Sequence, residues 1–255
     1  KIIDCSWHMP QTKRSGLEEY KNQHIPNSIF FDLDDNSKKK TNLPHMLVNI
    51  NNWEKILSKM GIKENDEIII YDNSDVISSC RCWFNFIYFG HDPSLVHVLN
   101  GGLKKWIKEN RKTTNEITNI QISNYKSFEK KELVKNKELI NQNINKQEFK
   151  VIDARSKERF EGKVQEPREG LRSGNIKNSF CLPFDHCLNK NKTFKNKDEL
   201  KIIFETCLKS IDKKDVVFSC GSGVTACVLA LAYSLINDKY QPCIYDGSWA
   251  EYGMI

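Results

Sequence analysis

The chain has 255 residues, of which 39% are hydrophobic and 28% are charged. This composition excludes a disordered polyampholyte and a membrane protein, since no apolar run approaches the roughly 20 residues of a bilayer span. The length suits one large domain or two compact domains of roughly 100–150 residues. The formal charge is +6, but the lysines are scattered among asparagines without an aromatic-interleaved basic stripe, so we expect no nucleic-acid and no membrane partner.

The first half of the chain alternates short apolar runs with stretches of helical spacing. Three apolar runs are typical of strands: 1–3, 68–71 and 96–99. Four apolar residues recur at the spacing of one helix face, namely Trp53, Ile56, Leu57 and Met60. Gly61 follows as a helix stop. This alternation predicts a mainly parallel sheet covered by helices.

The second half repeats the alternation after a polar connection. Segment 110–150 is rich in Lys, Asn and Glu, and we expect it to hold the connection and the first helix of the second half. Three more runs are typical of strands: 151–152, 216–219 and 243–245. Apolar residues at helical spacing lie between the first two of them: Leu200, Ile203, Phe204, Cys207 and Leu208. The predicted fold class is α/β, with a mainly parallel sheet flanked by helices in each half.

Four short motifs recur in the same order in the two halves, at offsets of 146 to 151 residues. Ile152-Asp153 repeats Ile3-Asp4, and the strand that ends at Asp72 matches the strand that leads into Cys220. Constant order and nearly constant offset indicate two tandem copies of one domain. We place these domains at residues 1–118 and 119–255.

The cysteines indicate a reducing compartment. There are nine, an odd number without C-x-x-C spacing, and several lie in apolar runs where a reduced thiol behaves as a small hydrophobe. Cys80 and Cys82 are separated by one residue and have no His pair nearby, so we do not expect structural zinc. The sequence implies neither a metal nor an organic cofactor.

One cysteine begins a loop that predicts chemistry. A strand-like run leads into Cys220-Gly221-Ser222-Gly223-Val224-Thr225, and residues 226–236 are apolar almost all round, as in a fully buried helix. At a helix start, unpaired N–H groups and the positive end of the helix dipole attract an anion, and two glycines let the backbone curl around it. These conditions favour a thiolate at Cys220, which we predict to be the nucleophile.

The alternative interpretation is a buried core cysteine at the end of a strand, but such a residue has no need of two glycines and an apolar helix after it.

Two chemistries use this kind of loop. Protein-tyrosine-type phosphatases place an Arg six residues after the Cys to bind the phosphoryl dianion, and this chain has Ala226 there. The sequence therefore favours attack on a sulfur centre, with the loop stabilising a persulfide.

On these residues the chain resembles the tandem-domain rhodanese superfamily of sulfurtransferases, and within it the members that act on 3-mercaptopyruvate. The cysteine loop and Glu166-Pro167-Arg168 are the specific parts of the resemblance. Further resembling segments are 24–26, 30–32, 44–47, 101–102 with Trp106, 153–155, 159–160 and 246–249. The resemblance implies two rhodanese-like domains with the site in the second. The first is expected to be catalytically empty, which agrees with Asp72 standing in the place of Cys220.

The resemblance also implies how substrate is held. Thiosulfate-preferring members carry cations directly after the catalytic Cys, where this chain has Gly221 and Ser222, so the expected donor is a monoanionic thiol acid. Arg159 and Arg168 would bind the carboxylate and keto oxygens of 3-mercaptopyruvate. The alternative for both arginines is a structural ion pair with one of the nearby glutamates: Glu158, Glu161, Glu166 and Glu169. The other loop residues expected to bind substrate are Gly221, Gly223, Val224 and Thr225.

A Ser-His-Asp relay beside the nucleophile is implied as well, with Ser222, His45 and Asp34 in its three positions. The substrate thiol must lose a proton and the enolate left behind must gain one, which a serine backed by an imidazole can provide. Thiosulfate needs no such step. The alternatives are a helix-capping hydroxyl for Ser222 and a polar surface role for His45.

The resemblance thus implies that Cys220 takes the sulfur of 3-mercaptopyruvate, releases pyruvate and passes the sulfur to a thiol acceptor such as thioredoxin, to a small thiol or to cyanide. The expected compartment is the cytoplasm or the mitochondrion. A thiosulfate:cyanide sulfurtransferase is the first alternative, and kcat/KM on the two donors distinguishes it. The second is a relay module for tRNA or cofactor thiolation, which would receive its persulfide from a desulfurase and turn over no small donor.

The chain departs from the family in its turns. Asn27 and Asn178 replace residues that are commonly Gly. Because Asn tolerates left-handed backbone, we expect both turns to be retained.

Overall fold

A computed structural model describes residues 1–208 and 215–255. The chain divides into two compact units, one formed by residues 1–40 and 47–131 and the other by residues 41–46 and 132–255. Among the described helices, none combines the length and the apolar character needed to cross a bilayer. Each unit is an α/β structure built on its own parallel sheet, as the sequence predicts.

The first unit contains a four-stranded sheet in the order β2-β1-β3-β4. Its elements are β1 (Ile2–Asp4), α1 (Gly16–Asn22), β2 (Ser28–Phe30), α2 (Ile50–Lys59), β3 (Ile68–Tyr71), α3 (Ser79–Tyr88), β4 (Val96–Val98) and α4 (Gly102–Lys108). All of these strands pair in parallel, with Ile3 in register with Ile29 and Ile70. The three strands predicted in this half and the helix predicted at 53–60 are confirmed.

The core of the first unit forms around Trp53 on α2, which is fully buried. Its indole stacks on Phe89 at 4.8 Å between ring centroids and meets the edge of Phe86 at 5.3 Å. The helix begins after Asn49, whose side chain accepts a hydrogen bond from the Asn52 amide, a cap that satisfies one of the free donors of the first turn.

The second unit contains a five-stranded sheet in the order β5-β9-β8-β6-β7. Its elements are β5 (Val134–Lys135), α5 (Lys137–Lys146), β6 (Phe149–Asp153), α6 (Lys157–Phe160), β7 (Phe180–Cys181), α7 (Lys197–Leu208), β8 (Asp215–Ser219), α8 (Val224–Ser234), β9 (Ile244–Tyr245) and α9 (Ser248–Tyr252). All pairs are parallel. Helix α5 confirms the helix expected within segment 110–150, and α7 contains the face expected from Leu200 to Leu208.

Helix α8 is buried along most of its length, which confirms the prediction from its apolar sequence. It packs beside α7, and the rings of Phe204 and Tyr233 meet edge to face at 5.0 Å between centroids. Tyr233 also contacts Phe218 on β8, at 6.0 Å. The helix that follows the cysteine loop is thus held in the core by aromatic contacts to a neighbouring helix and to the central strand.

The division of the chain differs from the predicted domains 1–118 and 119–255 in two places. The structure groups residues 41–46, which include His45, with the second unit, and residues 119–131 with the first unit. This segment is tied to the first unit by hydrogen bonds. The Ser123 amide donates to the Ser58 carbonyl at 3.0 Å, and the Tyr125 hydroxyl bonds to Nδ1 of His91 at 2.9 Å. Long-range bonds of this kind leave no signal in local composition.

The internal repeat is visible in matching backbone bonds. In the first unit the Leu103 amide donates to the Asp72 carbonyl at 2.9 Å, and in the second the Trp249 amide donates to the Cys220 carbonyl at 2.9 Å. Asp72 therefore stands in the place of Cys220, as the sequence offset predicts. The two asparagine turns are also confirmed, because Asn27 and Asn178 adopt φ angles of 64° and 65°.

Candidate active site

The cysteine loop lies at the carboxyl end of β8, in the middle of the sheet. Cys220 directly follows the strand, Gly223 turns the chain with φ of 78°, and α8 begins at Val224. The Cys220 amide donates to Oγ of Ser248 at 3.2 Å, and the Gly221 carbonyl accepts from the Ala250 amide at 2.9 Å. The loop is thereby anchored to the start of α9.

Cys220 is enclosed, with 2% of its surface exposed, whereas the adjoining Gly221 is partly exposed. The first amides of α8 have no acceptor within the helix, since the four N–H groups at any helix start lack one. Val224 and Thr225 supply two of these amides, and the helix dipole adds positive potential at the same end. The loop therefore has the character of an anion site beside a thiol.

Two guanidinium groups converge on Gly221. A β-carbon placed on this glycine would lie 3.3 Å from Nη2 of Arg159 and 3.6 Å from Nη1 of Arg168. The structure thus brings both predicted substrate arginines to the residue that follows Cys220. Guanidinium groups bind carboxylates in a planar, bidentate manner, so this pair can hold the carboxylate of a small anion beside the thiol.

Arg159 is also part of a buried network of charges. Glu166 accepts from Nε of Arg159 at 3.2 Å and from Nη1 of Arg155 at 2.8 Å, and Arg155 in turn donates Nη2 to Asp153 at 2.7 Å. The ion pair considered for Arg159 therefore exists, with Glu166 as its partner. Burial opposes the charge of Arg155, but the attraction of Asp153 and Glu166 outweighs it and raises the pKa of Arg155.

Ser222 connects the loop to the segment 41–46, which belongs to the second unit. Its hydroxyl lies 3.0 Å from Nδ1 of His45 and 3.5 Å from Nη2 of Arg168. His45 is buried and adopts φ of 59°, a conformation that is uncommon for residues other than glycine. The structure thus brings together two of the three predicted relay residues, and it places His45 in the interior instead of on the surface.

Asp34, the third predicted relay residue, belongs to the first unit. Its side chain is exposed and accepts a hydrogen bond from Nε1 of Trp7 at 2.9 Å. Its role in the relay stays a prediction.

The first unit fills the corresponding loop with its own carboxylate. Asp72 accepts from the Ser74 amide at 2.8 Å and from the Ser79 amide, at the start of α3, at 2.9 Å. Burial raises the pKa of Asp72, and these two hydrogen bonds oppose the rise. The side chain of Asp72 thus occupies the amides of the first loop. That the first unit is catalytically empty stays a prediction.

Several supporting residues escaped the sequence analysis. Arg155 stacks on the Trp249 ring at 4.3 Å, and Arg172 lies over the same ring at 4.7 Å. The hydroxyl oxygen of Ser248 accepts a hydrogen bond from the Cys220 amide. The segments 153–155 and 246–249 are visible as motifs, but their pairing across about a hundred residues is not encoded in local spacing.

Four other thiols of the second unit lie in surroundings that disfavour their ionised form. All nine cysteines lie within the described residues and are free thiols. Burial raises the pKa of four thiols in the second unit to about 11 or 12: Cys181, Cys187, Cys207 and Cys243. These thiols are weak nucleophiles at neutral pH.

Comparison with known proteins agrees with this architecture. The model of the rhodanese-like domain matches residues 2–109 and again residues 136–254. The chain therefore belongs to the rhodanese-like family and contains two copies of the domain. The relatives that it matches over most of their own length are sulfurtransferases.

Three similar proteins are named for sulfur transfer from 3-mercaptopyruvate. The thiosulfate/3-mercaptopyruvate sulfurtransferase 1, mitochondrial, of Arabidopsis thaliana is 38% identical over 99% of this chain and 71% of its own length. The 3-mercaptopyruvate sulfurtransferase of Mus musculus is 34% identical over 100% of this chain and 85% of its own length. The crystal structure of the 3-mercaptopyruvate sulfotransferase SseA from Escherichia coli is 30% identical, with a TM-score of 0.86 over 98% of this chain and 93% of that one.

Proposed function

We propose that this protein is a sulfurtransferase that takes sulfur from 3-mercaptopyruvate onto Cys220 and passes it to a thiol acceptor. The observation that carries this proposal is the convergence of Arg159 and Arg168 on Gly221, next to Cys220 at the start of α8. A thiol, a helix start and two guanidinium groups form a site for a small acid that carries sulfur.

The reaction is a displacement at sulfur. The Cys220 thiolate attacks the thiol sulfur of 3-mercaptopyruvate, an S–S bond forms, and the C–S bond breaks with its electron pair going to carbon as an enolate. The proton of the substrate thiol goes to that carbon, which gives pyruvate and leaves a Cys220 persulfide anion. The amides at the start of α8 stabilise this anion. A thiol acceptor, such as thioredoxin or a small thiol, or cyanide then removes the outer sulfur.

Ser222 and His45 are suited to move the proton. Their separation of 3.0 Å lies within hydrogen-bond range, and a hydroxyl backed by an imidazole can take a proton from the substrate thiol and return it to the enolate. The family resemblance assigns Asp34 to the third position of the relay.

The absence of positive charge directly after Cys220 in the loop supports 3-mercaptopyruvate as the sulfur donor. Gly221 and Ser222 follow the nucleophile without a positive charge, so the cations of the site are the two arginines. Arg168 and Arg159 would bind the carboxylate and keto oxygens of one 3-mercaptopyruvate molecule, which carries a single negative charge.

Replacement of the nucleophile tests the proposal. The Cys220→Ser variant should release no pyruvate from 3-mercaptopyruvate in the presence of a thiol acceptor, because a serine hydroxyl cannot take up the sulfur as a persulfide. Pyruvate is measured with a coupled dehydrogenase. The control is Cys243→Ser, which removes a buried thiol with a raised pKa and should retain activity. Full activity in Cys220→Ser would contradict the mechanism.

Thiosulfate is a second candidate donor, because the relative with 38% identity is named for both donors. The ratio of kcat/KM on thiosulfate to kcat/KM on 3-mercaptopyruvate decides between them. A ratio above one would assign thiosulfate as the preferred donor.

We also propose that the protein works in a reducing compartment, the cytoplasm or the mitochondrion. Its nine free thiols support this, as does the mitochondrial relative.

A further inference from the structure

The buried carboxylate of Glu166 joins the arginine that faces the loop to the central sheet. Its side chain is 1% exposed, and it uses both oxygens. Oε1 accepts from Nη1 of Arg155 at 2.8 Å and from Nε of Arg159 at 3.2 Å, and Oε2 accepts from Nη2 of Arg159. Burying a carboxylate is costly unless it is paired, so these bonds constrain Glu166 and both arginines together.

The far side of this network is fixed by contacts to the sheet and to Trp249. Arg155 donates Nε to Oδ2 of Asp153 at 3.0 Å and Nη2 to the same oxygen at 2.7 Å, while its guanidinium stacks on Trp249. Asp153 is the last residue of β6, which pairs with β8 beside the cysteine loop. Glu166 thus connects Arg159 through Arg155 to Asp153 on the central sheet, so the position of these strands fixes the position of Arg159.

The near side of the network faces the loop. Two of the three guanidinium nitrogens of Arg159, Nε and Nη2, are bonded to Glu166. Nη2 and Nη1 lie 3.3 Å and 4.0 Å from the β-carbon position of Gly221. A planar group held along one edge cannot rotate freely, so Glu166 determines which edge of Arg159 is presented to a substrate.

Glu166 also sets the charge at this point of the site. The network and its neighbour contain three guanidinium groups, Arg155, Arg159 and Arg168, and two carboxylates, Asp153 and Glu166. Glu166 supplies one of the two negative charges of this group. Loss of the Glu166 charge would make the local charge more positive by one and would therefore favour a donor with one more negative charge.

We propose that Glu166 is a positioning residue that sets donor preference: it aims Arg159 at the cysteine loop and lowers the charge of the arginine cluster, so that a monoanionic thiol acid is preferred over a dianionic donor. This inference rests on the proposed function and adds the residue that selects the substrate class.

Two variants separate the two roles. Glu166→Gln keeps the shape of the side chain and removes its charge. The ratio of kcat/KM on thiosulfate to kcat/KM on 3-mercaptopyruvate should rise about tenfold, the effect of about one pKa unit of differential charge interaction. Glu166→Asp keeps the charge and shortens the side chain. It should raise KM for 3-mercaptopyruvate about tenfold through displacement of Arg159 and leave the donor ratio within about twofold.

The matched control is Glu161→Gln, which removes a carboxylate from the same segment where its ion-pair partners are the exposed lysines Lys157 and Lys163. It should change neither KM nor the donor ratio. Circular dichroism establishes that each variant is folded.

An unchanged donor ratio in a folded Glu166→Gln variant overturns the role in donor preference. If that variant does not fold, Glu166→Asp decides, and a wild-type KM in it overturns the positioning role. Failure of the proposed function looks different, because the wild-type chain would then form no persulfide from 3-mercaptopyruvate.

Discussion

The hydroxyl of Ser222 is shared between an imidazole and a guanidinium, at 3.0 Å from Nδ1 of His45 and 3.5 Å from Nη2 of Arg168. A hydroxyl that only capped the helix would need neither partner. The unusual φ of His45 adds to this argument, since strained backbone conformations cluster at functional sites. These contacts favour a proton-transfer role for Ser222 over a purely structural one.

Removal of this hydroxyl should therefore affect one donor more than the other. We expect Ser222→Ala to lower kcat on 3-mercaptopyruvate about a hundredfold, the lower end of what a positioned proton carrier contributes. Turnover of thiosulfate, which needs no proton transfer, should change less than about threefold. Steady-state kinetics on both donors measure this. Ser234→Ala, which removes a hydroxyl from the other end of the same helix, is the control. An equal loss on both donors would return Ser222 to a structural role.

At the scale of elements, the two units share one strand–loop–helix arrangement but differ in the residue at the start of the loop. Each has a central strand that leads through a loop to a buried helix, and each loop places amides at the helix start. In the first unit the carboxylate of Asp72 accepts from the Ser74 and Ser79 amides. The first loop is thus stabilised by its own side chain, whereas Cys220 stands at the corresponding position of the second loop.

Asp72 should therefore contribute to stability in a way that depends on its acceptor oxygens. We expect Asp72→Ala to lower the free energy of unfolding by about 2 kcal/mol, because two buried amides lose their acceptor. Asp72→Asn retains one carbonyl oxygen and should lose less than half of that amount. Chemical denaturation, with fluorescence of the tryptophans in each unit as the signal, measures the difference. Equal stability of the alanine variant and the wild type would contradict the capping role.

The elements were predictable from sequence to different degrees. The parallel sheets, α2 and α8 follow from apolar periodicity, and the position of Cys220 follows from the glycine loop after a buried strand. The substrate-binding role of Arg159 and Arg168 is predicted only by the family resemblance, because their approach to Gly221 depends on the path of segment 161–174. The pairing of Glu166 with Arg155 and Arg159 was not predicted, since a buried ion pair and an exposed one have the same sequence. The connection of residues 119–131 to the first unit was not predicted either, because it depends on long-range hydrogen bonds that local sequence does not indicate.

At the scale of the whole molecule, nine thiols are distributed over two units and one of them stands at a helix start next to two guanidinium groups. Burial raises the pKa of Cys5 well above its usual range, and that of Cys181 to about 12. A thiol with a pKa near 12 is ionised to about one part in 100,000 at pH 7 and is a poor sulfur acceptor. The surroundings of Cys5 and Cys181 therefore disfavour both thiols as sulfur acceptors.

The molecule should consequently acquire one sulfur atom and no more. After incubation with excess 3-mercaptopyruvate, intact mass spectrometry should show a single added sulfur, and peptide mapping should locate it on Cys220. Cyanide should remove it and restore the original mass, since the outer sulfur of a persulfide is transferable. The Cys220→Ser variant, which keeps the other eight thiols, should show no added sulfur. Persulfide on Cys181 or any other thiol of the wild type would mean that the helix start and the arginine pair do not determine where the sulfur goes.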